Sequence, residues 1–182
     1  MLTRQIYQDE EIEIRVATEL EAIAHFAAVQ ASVAEIGAWE SWCTDKYSPD
    51  DSRKYLTDSE QKRHRGAEFN FCVFERSGGN LIGSVGINRI VQEYKFSNLG
   101  YWIRTGYTGR GLATLAVKAA ARFAFTELEL TRLEIVVMDG NESSRRVAEK
   151  AGATSEGLHR NRLYYHGQPR DAWMYSLIPG DL

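Results

Sequence analysis

Three glycines, at positions 106, 109 and 111, stand between an alternating, strand-like segment and a long apolar helical segment. The first turn of a helix has backbone N–H groups without intrahelical partners and carries about half a positive charge, so it can bind a phosphate. Gly109 and Gly111 have no side chain that would keep a ligand away from these amides. The stretch 100–114 therefore predicts an anion-binding turn, with a simple ligand-free turn as the alternative.

Two familiar phosphate loops do not fit this stretch. A P-loop needs Lys and then Ser or Thr directly after its last glycine, whereas Leu112 and Ala113 stand there. A dinucleotide fingerprint needs a third glycine and an acidic residue at the end of the next strand, and the next strand follows only after an unusually long helix. The remaining interpretation is a loop that binds a diphosphate without a metal-binding hydroxyl or a ribose-binding acid.

The elements around this turn follow from hydrophobic periodicity and from turn residues. Strands are predicted at 12–16, 68–75, 80–91, 94–103, 133–138, 153–162 and 172–178, and helices at 19–33, 48–65, 110–128 and 141–151. The order predicts an α/β (α+β) fold: one mixed, mostly antiparallel sheet of about seven strands flanked by helices. We expect residues 1–182 to form a single domain.

Composition excludes several classes of protein. The chain of 182 residues has a net charge of −3, which argues against a bulk nucleic-acid binder. It has no apolar signal region and no run of about 20 apolar residues, so we expect a cytoplasmic protein without membrane contact. Cys43 and Cys72 lack metal-ligand spacing, and reduced thiols in or near the core are expected.

Two motifs together identify a family. Residues 108–113, Thr-Gly-Arg-Gly-Leu-Ala, are similar to the acetyl-CoA loop Gln/Arg-x-x-Gly-x-Gly/Ala, with Thr108 in place of the long first side chain. Residues 141–152 match Asn-x-x-Ser-x-x-Val/Leu-x-Glu-Lys-x-Gly, although Ala153 replaces the phenylalanine that usually follows. On these motifs the chain resembles the GNAT superfamily of N-acetyltransferases, and within it the RimJ/RimL group, which acetylates the N-terminal amine of ribosomal proteins. The resemblance covers nearly the whole chain from about Glu11.

This resemblance implies the GNAT acyl-CoA N-acyltransferase fold, with acetyl-CoA as co-substrate and no metal. The sheet would splay between the fourth and fifth predicted strands, and the pantetheine arm would insert there like a short extra strand. The implied cofactor-binding residues are Tyr101, Trp102, Ile103, Thr108, Gly109, Arg110, Gly111, Leu112, Ala113, Thr114, Asn141 and Ser144.

The resemblance also suggests catalytic roles. The backbone N–H of Ile103 would polarise the thioester carbonyl as an oxyanion donor. Ser144 would protonate the departing CoA thiolate, unless it only satisfies the first turn of its helix. Asn141 would bind the pantetheine or cap the same helix, and these roles are compatible.

The general base and the acceptor site are less defined. Glu134, Asp139 and His166 could each relay a proton through water, and each could equally be an ordinary surface or strand-end residue. The residues expected to line the acceptor groove are aromatic or imidazole side chains after the first helix and near the end of the chain: Trp39, Trp42, Tyr47, Tyr164, Tyr165 and His166. Ordinary core packing is the alternative for each of the aromatic residues.

The predicted reaction is direct attack of a neutral amine on the thioester. A free α-amine has a pKa of about 7.7–8.0 and a lysine about 10.4, so an N-terminal amine is the easier acceptor. We therefore expect acetylation of the N-terminal amine of a ribosomal or other protein. The alternatives are a small amine, such as an antibiotic, a polyamine or an amino acid derivative, and a non-catalytic CoA-binding sensor. A homodimer is plausible, and no direct nucleic-acid partner is expected.

Overall fold

The computed structural model describes residues 3–182 and contains one eight-stranded sheet, so residues 1–2 of the predicted domain lie outside the described part. The strands are β1 (Gln5–Gln8), β2 (Ile12–Arg15), β3 (Phe69–Glu75), β4 (Leu81–Val91), β5 (Phe96–Ile103), β6 (Arg132–Met138), β7 (Thr154–Tyr165) and β8 (Gln168–Leu177). The α-helices are α1 (Ala22–Gln30), α2 (Val33–Gly37), α3 (Pro49–His64), α4 (Leu112–Thr126) and α5 (Glu142–Ala151).

The spatial order of the strands is β1-β2-β3-β4-β5-β6-β8-β7. Neighbours are antiparallel except β5 and β6, which are parallel and are joined through α4. The mixed, mostly antiparallel sheet is confirmed. The strand that sequence patterning left out is β1, which is short and polar and pairs with β2 at the sheet edge.

The predicted helix 19–33 is interrupted in the structure. Thr18 forms a capping box with Glu21 around a single 3-10 turn, and α1 follows. The hydroxyl of Ser32 donates to the carbonyl of Ala28 at 2.9 Å and accepts the amide of Thr105 at 2.9 Å. This serine therefore ties the end of α1 to the segment after β5, and α2 begins as a separate short helix.

The sheet opens between β5 and β6, which are the fourth and fifth strands of the sequence prediction. Pairing covers only Phe96–Asn98 of β5 against Arg132–Glu134 of β6. Within the described residues, the strands have no paired positions beyond this point, so residues 99–103 and 135–138 diverge. We call the space between these two segments the gap.

Helices cover both faces of the sheet. The face that carries Leu99, Tyr101 and Ile103 packs against α4 and α5, and we call it the α4 face. On it, Phe123 of α4 contacts the rings of two core phenylalanines on β3, with centroids 5.1 and 5.6 Å away. The opposite face packs against α1 and α3 and carries Trp102, and we call it the α3 face.

The two cysteines and the length of the helices bear on two further expectations. Cys43 and Cys72 are buried, unpaired thiols, and burial raises the pKa of Cys72 to about 12. No helix in the described part of the chain is both long and apolar enough to span a bilayer.

Candidate active site

The edge of β5 that faces the gap presents free backbone groups at alternate residues. The amide of Arg104 donates to the carbonyl of Ile82 at 2.9 Å, and the pairing continues in register through β4 and β5. In an antiparallel ladder the backbone groups point to either side in turn. Trp102 therefore directs its amide and carbonyl to β4, whereas Tyr101 and Ile103 direct theirs into the gap. Of the three residues expected to pair with a pantetheine arm, only these two have the required direction.

The glycine-rich turn lies at the open end of the gap. Gly106, Gly109 and Gly111 have φ values of 91°, 79° and 80°, which a residue with a Cβ adopts at a cost. A Cβ built at any of them would meet nothing within 4 Å, so the space above the turn is open. The first i to i−4 hydrogen bond of α4 runs from Leu115 to Gly111 at 3.0 Å.

The predicted anion-binding amides precede that first helical bond. Leu112, Ala113 and Thr114 form the first turn of α4, where N–H groups have no carbonyl one turn earlier to bind. Thr108 lies exposed on the same turn. Arg110 is also exposed, with its guanidinium 5.6 Å from the ring centroid of Tyr107 and 3.7 Å from a carboxylate oxygen of Glu11. The turn therefore has the shape of the predicted diphosphate site.

A groove of about 370 Å³ continues from this turn along α4. Gly111 and Thr114 line its beginning, and Lys118, Arg122 and Lys150 line the rest together with residues of β1. Lys118 and Arg122 follow Thr114 at successive spacings of four, which places all three on one stripe of the helix. These cations were not predicted from the sequence, although a spacing of four places side chains on one face of a helix.

The N-terminus of α5 lies against Tyr101 on the α4 face. Asn141 caps the helix, since its side-chain oxygen accepts the amide of Ser144 at 3.1 Å. The Tyr101 hydroxyl donates to the carbonyl of Ser144 at 3.0 Å, and the two side-chain oxygens are also 3.0 Å apart. Burial raises the pKa of Tyr101 to about 12, although its hydrogen bond with Ser144 opposes this. A neutral phenol therefore supports the Ser144 hydroxyl beside the gap.

The two carboxylates expected to act as bases lie at opposite ends of β6. Glu134 pairs with Asn98 at the last closed position of the sheet, and Arg132 contacts its carboxylate at 3.2 Å. Asp139 follows the strand at the open end and accepts the indole N–H of Trp173 at 2.9 Å. Glu134 thus sits where the gap begins, on the α3 face, and Asp139 sits at its mouth.

Residues 38–48, between α2 and α3, form what we call the roof loop. A Cβ built at Gly140 would be 3.9 Å from the ring of Trp39, which places this indole against the turn between β6 and α5. Trp42 is 42% exposed and packs edge-on against Tyr47, with ring centroids 5.6 Å apart. Trp39 and Trp42 thus lie together in the loop next to the turn that leads into α5.

The β7–β8 hairpin contacts the segment that precedes the roof loop through Tyr165, one of the two neighbouring tyrosines predicted for the acceptor side. The hydroxyl of Tyr165 donates to the carbonyl of Gly37, at the end of α2. Tyr164 is 75% exposed and points to the other side of the strand. His166, a further candidate base, packs against Tyr165 at the exposed hairpin turn. Of the two tyrosines, Tyr165 therefore contacts the segment before the roof loop, whereas Tyr164 faces solvent.

Glu40 is a carboxylate of the roof loop that the sequence analysis did not consider. Although Glu40 is exposed as a residue, desolvation raises the pKa of its carboxylate, while the indole N–H of Trp42 and the charge of Arg89 oppose this shift. A carboxylate with a raised pKa holds a proton more readily than one with an ordinary pKa. No sequence pattern distinguishes Glu40, because its environment depends on how the loop folds back over the sheet.

The model of the acetyltransferase (GNAT) domain family matches residues 12–154. The chain is 32% identical over 138 residues to the probable N-acetyltransferase YjcK of Bacillus subtilis, covering 75% of this chain and 76% of that protein. It is 26% identical over 175 residues to the ribosomal-protein-serine acetyltransferase of Escherichia coli, covering 93% and 97%. It is also 34% identical over 101 residues to the spermidine N(1)-acetyltransferase of Escherichia coli, covering 56% and 52%.

Solved structures share the whole architecture. A ribosomal L7/L12 alpha-N-protein acetyltransferase in complex with coenzyme A superposes with a TM-score of 0.87 at 23% identity, covering 96% of this chain and 97% of that chain. A structure described as a probable acetyltransferase superposes with a TM-score of 0.88 at 27% identity, covering 98% of each chain. The fold that the two sequence motifs implied is therefore confirmed.

Proposed function

The chain belongs to the GNAT acetyltransferase family, and we propose that it transfers the acetyl group of acetyl-CoA to the N-terminal α-amine of a protein. The observation that carries this proposal is the gap itself: free backbone groups of β5 lie between a glycine-rich helix start and the Ser144 hydroxyl. This arrangement suits an acyl carrier with a diphosphate at one end and a thioester at the other.

We place acetyl-CoA along one continuous track. The diphosphate contacts the amides of residues 109–114, where the positive end of α4 favours an anion. The phosphorylated nucleoside end lies in the groove beside Lys118 and Arg122, which are both positively charged and solvent-exposed. The pantetheine arm enters the gap and pairs with Tyr101 and Ile103, as a strand added to an open edge.

The chemistry needs one bond to form and one to break. The neutral amine nitrogen attacks the thioester carbonyl carbon, and the C–S bond breaks with its electrons on sulfur. The N–H of Ile103 donates to the carbonyl oxygen as negative charge develops there. The hydroxyl of Ser144 protonates the departing thiolate and regains a proton from solvent, and its contact with the Tyr101 hydroxyl holds it in place.

The proton lost by the amine leaves on the α3 face. There Gly100 has no side chain, and a Cβ at this position would meet only Asn98, at 4.0 Å. Glu134 shares that face and lies at the start of the gap, while Asp139 lies at its mouth. We assign proton removal through water to these carboxylates and to Glu40 on the roof loop, whose pKa is raised.

The preference for an α-amine follows because carboxylates are weak bases and suit an acceptor that is already largely neutral. A free N-terminal amine has a pKa of about 7.7–8.0, so much of it is already neutral near pH 7.5. A lysine amine with a pKa of about 10.4 is almost fully protonated and would need stronger assistance. The matching relative that acts on ribosomal protein serine covers 93% of this chain, which supports a protein acceptor.

The test is a panel of amines incubated with the enzyme and isotope-labelled acetyl-CoA, followed by mass spectrometry. It should include peptides with free N-termini, the same peptides with blocked N-termini and one internal lysine, and spermidine. We expect the label on the free α-amine and none on the blocked peptides. Labelling of spermidine alone would support the small-amine alternative, and tight CoA binding without thiol release from any acceptor would support the sensor alternative.

A further inference from the structure

The distal half of the β7–β8 hairpin carries a concentration of positive charge that the acetyl-CoA track does not use. Residues 157–170, which we call the basic hairpin, contain Arg160, Arg162 and Arg170, and also His159 and His166, but no acidic residue. The rest of the chain has a net charge of −6. Within residues 3–182, none of the three arginines forms an ion pair. Their charge is therefore available to a partner.

Backbone contacts hold this charge close to the mouth of the gap. The strand register slips between His159 and Leu163, so that residues 160–162 bulge opposite Asp171. The amide of Asn161 donates to the Asp171 carboxylate at 2.8 Å, and the amide of Asp139 donates to the Asp171 carbonyl at 3.0 Å. Asp139 directly follows β6, the strand that borders the gap, so the bulge lies about two strand spacings, roughly 10 Å, from the gap.

The opposite border of the same opening has the opposite charge. The segment 33–48, which includes the roof loop, carries Glu35, Glu40 and Asp45 but only one cation, Lys46. This segment and the basic hairpin meet where Tyr165 donates to the carbonyl of Gly37. An acceptor that enters between them therefore meets carboxylates on one side and, beside Asp139 and Asp171, three arginines on the other.

Resting on the proposed function, we infer that the basic hairpin selects protein N-termini that are followed by acidic residues. The ammonium of such an acceptor faces Glu40 and Glu134, and its acidic side chains face Arg160, Arg162 and Arg170. An extended peptide rises about 3.3 Å per residue, so acids three to five residues after the N-terminus reach the bulge. A polyamine has cations at both ends, and the hairpin repels its second charge.

The experiment compares three peptides of one length with free N-termini. They differ only at the positions three to five residues after the N-terminus, which are acidic in one peptide, neutral in the second and basic in the third. We expect kcat/KM for the acidic peptide to exceed that for the basic peptide at least about tenfold, mainly through KM. The difference should shrink as NaCl rises from about 50 to 500 mM, because exposed charges are screened. Equal kcat/KM for the three peptides would overturn the inference.

Reversing the charge of two hairpin arginines tests whether the preference for acidic peptides arises at the basic hairpin. In the double variant Arg160→Glu/Arg162→Glu we expect the preference between acidic and basic peptides to invert, while KM for acetyl-CoA and turnover of a minimal amine stay unchanged. The matched control is Lys54→Glu/Arg65→Glu, which reverses two exposed cations on and just after α3 and should leave the preference intact. A preference for acidic peptides that survives the hairpin reversal would place selection elsewhere.

A binding measurement separates this inference from the proposed function. Fluorescence anisotropy of a labelled acidic peptide, in the presence of CoA, reports docking whether or not acetyl transfer occurs. Binding that depends on the hairpin arginines without acetylation would defeat the proposed reaction and retain the docking surface. Acetylation of α-amines that does not depend on the charge of the peptide would support the proposed reaction and overturn the docking surface.

Discussion

Gly111→Asp perturbs the anion site at the point where the diphosphate is expected to bind. Gly111 precedes the first residue of α4, has a φ of 80°, and has nothing within 4 Å of a built Cβ. The new carboxylate would therefore extend into open space next to the first-turn amides. Gly79 is a matched control, since its φ is 66°, a built Cβ there is equally free, and it lies in the turn between β3 and β4.

The two variants should differ little in stability. An L-residue in the left-handed region costs roughly 1–2 kcal/mol, with Asp near the low end. At position 111 an acidic side chain at the start of a helix regains about 0.3–1 kcal/mol from the helix dipole. A domain of this size loses roughly 2–4 °C in Tm per kcal/mol. We therefore expect Gly111→Asp to be no less stable than Gly79→Asp.

The affinity for acetyl-CoA should differ strongly. A carboxylate roughly 6 Å from a diphosphate of about two charges is repelled by ~1.4 kcal/mol even with the dielectric constant of bulk water. At the effective dielectric constant of about 20 typical of a protein surface, the repulsion is ~5.5 kcal/mol. Since 1.4 kcal/mol corresponds to a factor of ten in Kd, the affinity should fall at least about tenfold.

Isothermal titration calorimetry with acetyl-CoA measures this difference, and thermal unfolding without ligand supplies the stability control. We expect Kd to rise at least about tenfold in Gly111→Asp and less than about twofold in Gly79→Asp. An unchanged Kd in Gly111→Asp, with the fold intact, would refute the assignment of the diphosphate to this turn. An equal rise in both variants would attribute the loss to a general effect on the fold.

Three further predictions concern single side chains. Ser144→Ala should lower kcat by about 10² in steady-state kinetics, while KM for acetyl-CoA changes less than about twofold. A change in KM alone would mean that Ser144 only binds acetyl-CoA or caps its helix. Glu40→Gln should lower kcat/KM about tenfold and flatten the acid limb of its pH profile, because the raised pKa of this carboxyl places its titration there; an unchanged profile would exclude Glu40 as the base. The hydrogen bonds from Arg132 lower the pKa of Glu156 to about 2, so this pair stabilises the fold above the unfolded pKa of about 4.3 and loses its effect as the pH falls towards 2. Glu156→Gln should therefore cost about 1 kcal/mol in denaturant unfolding at pH 7 and almost nothing near pH 2, and an equal cost at both pH values would contradict the pairing.

The sequence predicted the site best where local chemistry determines structure. The glycines at 109 and 111 adopt the left-handed conformations that a turn before a helix requires, and Asn141 caps α5. The opening between β5 and β6 was anticipated only through family resemblance. Nothing in the alternation of residues 94–103 or 133–138 shows that pairing stops after Asn98, because that depends on how two distant strands diverge.

Other features depend on tertiary contacts that no local pattern carries. The backbone amide and carbonyl of Trp102 point to β4 rather than into the gap, because the register of the β4–β5 ladder fixes which backbone groups are already paired. Tyr165 rather than Tyr164 meets the end of α2, since a strand turns neighbouring side chains to opposite faces. The raised pKa of Glu40 and the bulge beside Asp171 arise from loops whose packing the sequence does not disclose.

The most direct measurement is a crystal structure of the protein with CoA bound. We expect the diphosphate on the amides of residues 109–114 and the pantetheine amides hydrogen-bonded to Tyr101 and Ile103 in the gap. We also expect the sulfur within hydrogen-bonding reach of the Ser144 hydroxyl. A CoA molecule bound elsewhere, with the gap closed by side chains, would contradict both expectations.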